Sequence, residues 1–108
     1  MEENLRDEKI ERIEEFFRVP ERVAGEIKNV ARKARGGYVL IEARPRWDGK
    51  PGPWMENPTA KMIFHNPSQK WRLCWQRASG RWMFYGEYKT FDKALEAIKK
   101  DEHRCFWG

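Results

Sequence analysis

TAKMIFHNPSQKWRLCWQRASGRWMFYGEYK, residues 59–89, decides the fold. Apolar and polar side chains alternate through it with period two, the repeat of a strand with one buried face. Two breaks interrupt the alternation, Asn66-Pro67-Ser68-Gln69 and Ala78-Ser79-Gly80-Arg81, and both are built from turn-forming residues. The stretch reads as a three-stranded antiparallel meander. Tight hairpins place Phe64 opposite Trp71, Met62 opposite Leu73 and Ala60 opposite Trp75. On the next pair Trp75 faces Phe84 and Trp71 faces Tyr88. One face is then apolar, with Ala60, Met62, Phe64, Trp71, Leu73, Trp75 and Phe84. The other carries Lys61, Ile63, His65, Arg72, Cys74, Gln76, Met83, Tyr85 and Glu87. This pattern predicts a sheet covered on one side only.

Upstream, RPRWDGKPGPWMENP at 44–58 holds four prolines and two glycines, which predicts a long surface loop rather than a central strand. Residues 38–44 read as a further strand, and Gly36-Gly37 offers the positive φ of a tight turn. KNVARKAR at 28–35 continues a helical pattern through Val30, Ala31 and Ala34; a strand is the alternative. Ile10, Ile13, Phe16 and Phe17 form an apolar stripe on a helix over about 5–18, which Asn4 can cap. Pro20 ends that helix and can open a second one, with Val23, Ala24 and Ile27 as its apolar face. Downstream, Thr90 caps a last helix whose stripe is Phe91, Ala94, Leu95 and Ile98, with Lys99-Lys100 against its C-terminal dipole. Phe106 and Trp107 in the closing CFWG are too apolar to leave in water, so the tail is expected to dock on the core. The fold expected is α+β: one antiparallel sheet of four to five strands, with two N-terminal helices and a C-terminal helix covering one face.

The 108 residues suit one domain, which buries roughly two thirds of its unfolded surface. It divides into an acidic helical start (1–27), a basic Trp/Arg-rich sheet region (28–89), and a C-terminal helix and tail (90–108). Residues 1–26 carry nine acidic and five basic side chains, a balance of −4. Residues 27–89 carry thirteen basic and four acidic ones, a balance of +9. Such a middle attracts polyanions. Two cysteines, Cys74 and Cys105, make no disulfide framework. No leading apolar run suits a signal peptide and no stretch suits a membrane span, so a cytoplasmic protein with reduced thiols and no membrane partner is expected.

Four segments together resemble a bacterial family, domain-of-unknown-function family 3024. They are IEARPRWD at 41–48, ENPTAKMIF at 56–64, WRLCWQRASGRW at 71–82 and DEHRCFWG at 101–108. The family carries an E-V-R-P-R-W segment, then W-x-L-Y-W-x-R-A-x-x-K-W, and ends near D-P-H-G-C-F-F/W-G. The family's Pro and Gly beside the terminal His are replaced here by Glu102 and Arg104. The resemblance implies that 28–35 is a strand, hairpinning through Gly36-Gly37 into YVLIEAR, and this is the favoured reading. It implies no activity and no site residue.

Two metal readings fall on chemistry. His65, Cys74, His103 and Cys105 are soft ligands, but their only close spacing is H-x-C at 103–105. In the expected register Cys74 lies opposite Lys61, four residues along the strand from His65, or about 13 Å. No metal and no cofactor is therefore expected. Glu42, Asp48 and Glu56 near Arg44 and Lys61 suggest a metal-dependent nuclease only faintly, since no Asp precedes them on a strand. No nucleophile elbow, phosphate loop or Cys–His pair is present, and the sequence leans away from an enzyme.

What stands out is arginine interleaved with tryptophan. Planar guanidinium and indole groups stack on nucleobases, and they stack on each other. Trp71 and Trp75 point to the core by period two. Arg44, Arg46, Trp47, Lys61, Arg72, Gln76, Arg77 and Trp82 are left as candidate contacts for single-stranded or structured nucleic acid. The competing reading is a protein-interaction or accessory domain, engaging a partner through the 44–58 loop or the C-terminal tail.

Overall fold

The structure, a computed structural model, describes residues 7–107. Its five strands follow one another in a single antiparallel meander, so every neighbour in sequence is a neighbour in space. They are β1 Lys28–Ala34, β2 Gly37–Arg44, β3 Met55–His65, β4 Lys70–Gln76 and β5 Trp82–Tyr88. Helices α1 (Glu8–Phe16) and α2 (Phe91–Lys100) lie on one face of this sheet. Ala31, Leu40, Ala60, Met62 and Leu73 form the buried row of the sheet. It meets Ile13 and Phe17 from one end and Phe91, Ala94, Leu95 and Ile98 from α2. Each fully buried large side chain in this layer contributes about 1.5–3 kcal/mol.

α1 is capped by Asp7, whose carboxylate accepts from the Lys9 N–H at 2.8 Å and from the Tyr38 hydroxyl at 2.8 Å. One side chain thus ends the helix and ties it to β2. The expected cap Asn4 lies outside the described residues. The expected second helix is not formed: only a 3-10 turn, Glu21–Val23, follows Pro20. None of its residues is buried, and Gly25 comes two residues later. So short an apolar face cannot offset helix nucleation, and the chain turns directly into β1. Residues 28–34 are a strand, as the family resemblance implies, and not a helix.

Two expectations are corrected at strand ends. The β1–β2 turn is Arg35-Gly36, with Ala34 opposite Gly37, so Gly36 (φ +79°) takes the turn geometry and Gly37 belongs to the ladder. The 44–58 loop is shorter than expected, because Met55–Pro58 pairs with Ile41–Arg44. Pro58 is tolerated there for two reasons. β4 reaches only as far as Ala60 on that side, so β3 is an edge at Pro58, and the β2–β3 register shifts between Leu40 and Ile41.

The first meander hairpin has the expected register: Phe64 opposite Trp71, Met62 opposite Leu73, Ala60 opposite Trp75. The second agrees at Trp71–Tyr88 but not beyond. Trp75 faces Met83, not Phe84, because the register shifts between Leu73 and Cys74 and leaves Tyr85 as an extra residue in β5. The bulge exchanges the faces of its strand. Met83 and Tyr85 turn to the helix side, and Phe84 turns away from it.

α2 is capped by Thr90, which accepts from the Lys93 N–H, and its buried stripe is the expected one. The tail folds back. Phe106 is buried in the core, and Trp107 donates its indole N–H to the Ile98 carbonyl at 3.0 Å. Arg104 sits at φ +55°, a left-handed conformation, at the position where the resembled family carries Gly. A side chain there costs roughly 1–2 kcal/mol. Arg104→Gly should therefore stabilise the protein by about 1 kcal/mol, a rise of roughly 4 °C in the melting midpoint by circular dichroism. A lower midpoint would mean that the Arg104 side chain makes a compensating contact.

Candidate functional site

Alternation sends every second strand residue to the face that neither helix covers. One cross-strand row runs over the whole sheet on this face: Arg32, Val39, Lys61, Cys74 and Phe84, each opposite the next. Beside it run Ile63, Arg72 and Glu87 on one side and the Gln76–Trp82 pair on the other. Phe84 is 60% exposed, uncommon for a phenylalanine inside a strand. The Arg72 guanidinium lies 5.7 Å from its ring centroid, and the Lys61 ammonium lies 4.8 Å from that of Trp82. Trp82 and Phe84 are two residues apart on one strand, roughly 7 Å, so they form adjacent aromatic steps.

At the far end of the face four polar side chains converge. The Glu87 carboxylate accepts from Arg72 Nε at 2.9 Å and from Ser68 Oγ at 3.0 Å, and lies 3.6 Å from His65 Nδ1. Ser68 Oγ is itself 2.9 Å from that nitrogen. The Arg72 bond first, then the Ser68 bond, holds Glu87 below the usual carboxylate range. At the centre of the face burial pushes the Cys74 thiol up, which Lys61 and Arg72 only partly oppose, so this thiol stays protonated near neutral pH.

The expected contacts fall in four places. Lys61, Arg72, Gln76 and Trp82 share the helix-free face. Arg77 lies in the β4–β5 turn at the end of that face, with its N–H bonded to the Arg81 carbonyl. Arg44, by alternation from Leu40 through Glu42, belongs to the opposite face and pairs with Glu42 at 3.3 Å. Arg46 and Trp47 sit in the loop: Arg46 holds Asp48 at 2.8 Å, and Trp47 is 87% exposed. Trp54, also in the loop, lies under the Lys28 ammonium at 4.4 Å. Trp71 and Trp75 are half-buried against the core.

Sequence reasoning missed Phe84, which it placed in the core, and the Ser68–Glu87 contact. An isolated glycine within an alternating strand is a bulge signal, and Gly86 beside Tyr85 carried it.

The carboxylates considered for metal chemistry are spent singly. Glu42 pairs with Arg44, Asp48 with Arg46 and Glu56 with Arg32. The hydrogen bond from Arg32 chiefly lowers Glu56, and that from Arg46 chiefly lowers Asp48. Among the described residues no three His, Cys, Asp or Glu side chains converge as a metal site. His65 and Cys74 are on the helix-free face, while Cys105 packs against the core on the other side. No described helix is long and apolar enough to cross a membrane.

The model of a family described only as a domain of unknown function, DUF3024, matches residues 1–108. No curated protein and no solved structure matches the chain.

Proposed function

We propose a function for a chain that belongs to the DUF3024 family: its helix-free sheet face binds single-stranded nucleic acid. The observation that carries this reading is Phe84, turned out of the core by a bulge and left exposed next to Arg72, Trp82 and Lys61. An exposed aromatic on an open sheet beside cations is the arrangement with which sheet-based binders stack bases and hold phosphates. The +9 balance of residues 27–89 supplies the long-range attraction. A duplex offers no splayed base to stack, so single strands fit the face better.

The test is fluorescence anisotropy of short labelled oligonucleotides against salt. Three or four phosphate contacts give a log–log slope of roughly −2 to −3. Stacking on one ring contributes about 1–3 kcal/mol, so Phe84→Ala should weaken binding roughly fivefold to a hundredfold. The Lys61→Ala/Arg72→Ala double variant should flatten the slope by about 1.4. Absence of binding at low salt, or binding that ignores Phe84→Ala and vanishes by physiological salt, removes this reading. An interaction surface for another protein then takes its place.

A further inference from the structure

We infer that Arg72, His65 and Ser68 form a phosphate-binding site, and that Glu87 occupies it in the free protein as a built-in competitor. The inference rests on the nucleic-acid reading for the source of the phosphate, but not for the chemistry of the site. Its basis is the convergence on one atom. Glu87 Oε2 receives Arg72 Nε from the facing strand at 2.9 Å and Ser68 Oγ from the β3–β4 turn at 3.0 Å. His65 Nδ1, at the end of β3, lies 3.6 Å away. Three polar side chains from three successive segments surround a single oxyanion: Arg72 and Ser68 donate to it, and His65 Nδ1 lies beside them, 2.9 Å from Ser68 Oγ. That is what a tetrahedral phosphate needs, since its oxygens accept at several angles at once.

Two features make Glu87 displaceable. The Arg72 side chain is 44% exposed and that of Glu87 25%, so water reaches the pair and screens it. Arg72 bonds Glu87 through Nε, and its terminal nitrogens make no bond among the described residues. A guanidinium has five N–H donors in a rigid fork, so the free terminal nitrogens can engage an entering phosphate first, and Nε follows as Glu87 leaves. The place is also right. Arg72 reaches over Phe84, so a base stacked on that ring carries its phosphate toward the cradle.

The wild-type carboxylate therefore competes with every phosphate that enters, and Glu87→Gln removes the competition while keeping the shape. We expect Glu87→Gln to bind a short single-stranded oligonucleotide about five- to tenfold more tightly at low salt, with a slope steeper by about 0.7 for the added contact. Adding Arg72→Ala should abolish the gain. Glu96→Gln makes the same charge change on α2 and should leave binding near wild type. In parallel, inorganic phosphate is titrated into wild type and Glu87→Gln, following the Arg72 Nε–H and His65 ring signals by NMR. Both signals should shift at lower phosphate in the variant.

The inference is overturned if Glu87→Gln binds neither ligand better than wild type, or if Glu96→Gln gives the same gain. The nucleic-acid reading then still stands on Phe84. If the variant takes up inorganic phosphate at Arg72 and His65 while no oligonucleotide binds, the site stands and the nucleic-acid reading falls.

Discussion

Gly37→Ala is expected to unfold the protein or leave it insoluble. A Cβ at this position would lie 1.9 Å from the Met62 carbonyl oxygen and 2.9 Å from the Ile63 Cα. Both are backbone atoms of the central strand β3, so no side-chain rotation relieves the overlap. The approach is close because the β1–β2 turn packs against β3: the Phe64 N–H donates to the Gly36 carbonyl at 3.1 Å, and Gly37 pairs with Ile63. Separating the strands would strip the ladder beside Leu40, Ala60 and Met62, all fully buried. We expect a loss of about 4 kcal/mol or more, at the upper end for one substitution. Gly36→Ala is the matched comparison. It puts a side chain at φ +79° and meets only the Ile63 Cγ2 at 3.3 Å, so it should cost roughly 1–2 kcal/mol. Urea titration of the two variants separates them. If Gly37→Ala matches Gly36→Ala, the close approach of the turn to β3 is wrong.

The two glycines illustrate which parts of the fold were legible. The family resemblance implied a hairpin through Gly36-Gly37, and the hairpin is there. Which glycine turns and which packs depends on where β3 lies, a contact between residues some 25 positions apart that no local pattern encodes. The same distinction separates the other successes from the corrections. The first meander hairpin was legible in full because period-two alternation and a four-residue turn fix one register. The α2 stripe and its Thr90 cap were legible because helix signals are local. Pro58 was misleading because proline argues against a strand only where both sides are paired, and β3 outruns β4 at that point.

The candidate site was legible in composition and blurred in geometry. Arginine and tryptophan single out residues 44–82 by composition alone. Assigning them to faces required the β5 bulge, which alternation alone cannot place. One extra residue moved Phe84 from expected core to exposed platform and left Trp82 beside it. Alternation along β2, independent of that bulge, puts Arg44 on the opposite side of the sheet from Lys61 and Arg72. Glu87 was read as one polar residue among many. Its contacts with Ser68, Arg72 and His65 come from two different strand pairings, which no local pattern shows.

Phe106→Ala should produce the second large loss, about 3–5 kcal/mol, and lower the melting midpoint by roughly 15 °C or more. Phe106 is 8% exposed, lies 4.9 Å from the Tyr85 ring and belongs to the same core cluster as Leu95 and Ile98. Asp101 holds its backbone there, beside the Trp107 indole bond to the Ile98 carbonyl. Asp101 ends α2 at φ +45°, and its carboxylate accepts from the N–H groups of both Phe106 and Trp107, at 3.0 and 2.9 Å. A carboxylate that closes a helix and captures two amides of the returning chain converts a terminal segment, which ordinarily frays, into part of the core. The effects should therefore be graded. Trp107→Ala, whose ring is 38% exposed and lies 5.8 Å from that of Phe17, should cost less than Phe106→Ala. Asp101→Asn keeps a residue that tolerates the left-handed conformation but offers one carbonyl oxygen where two accepted, and should cost about 1 kcal/mol. Calorimetric melting of the three variants gives the order. A Phe106→Ala protein that melts with the parent would mean that the tail rests on the surface, and Phe106 and Trp107 would then be read as contacts for a partner protein.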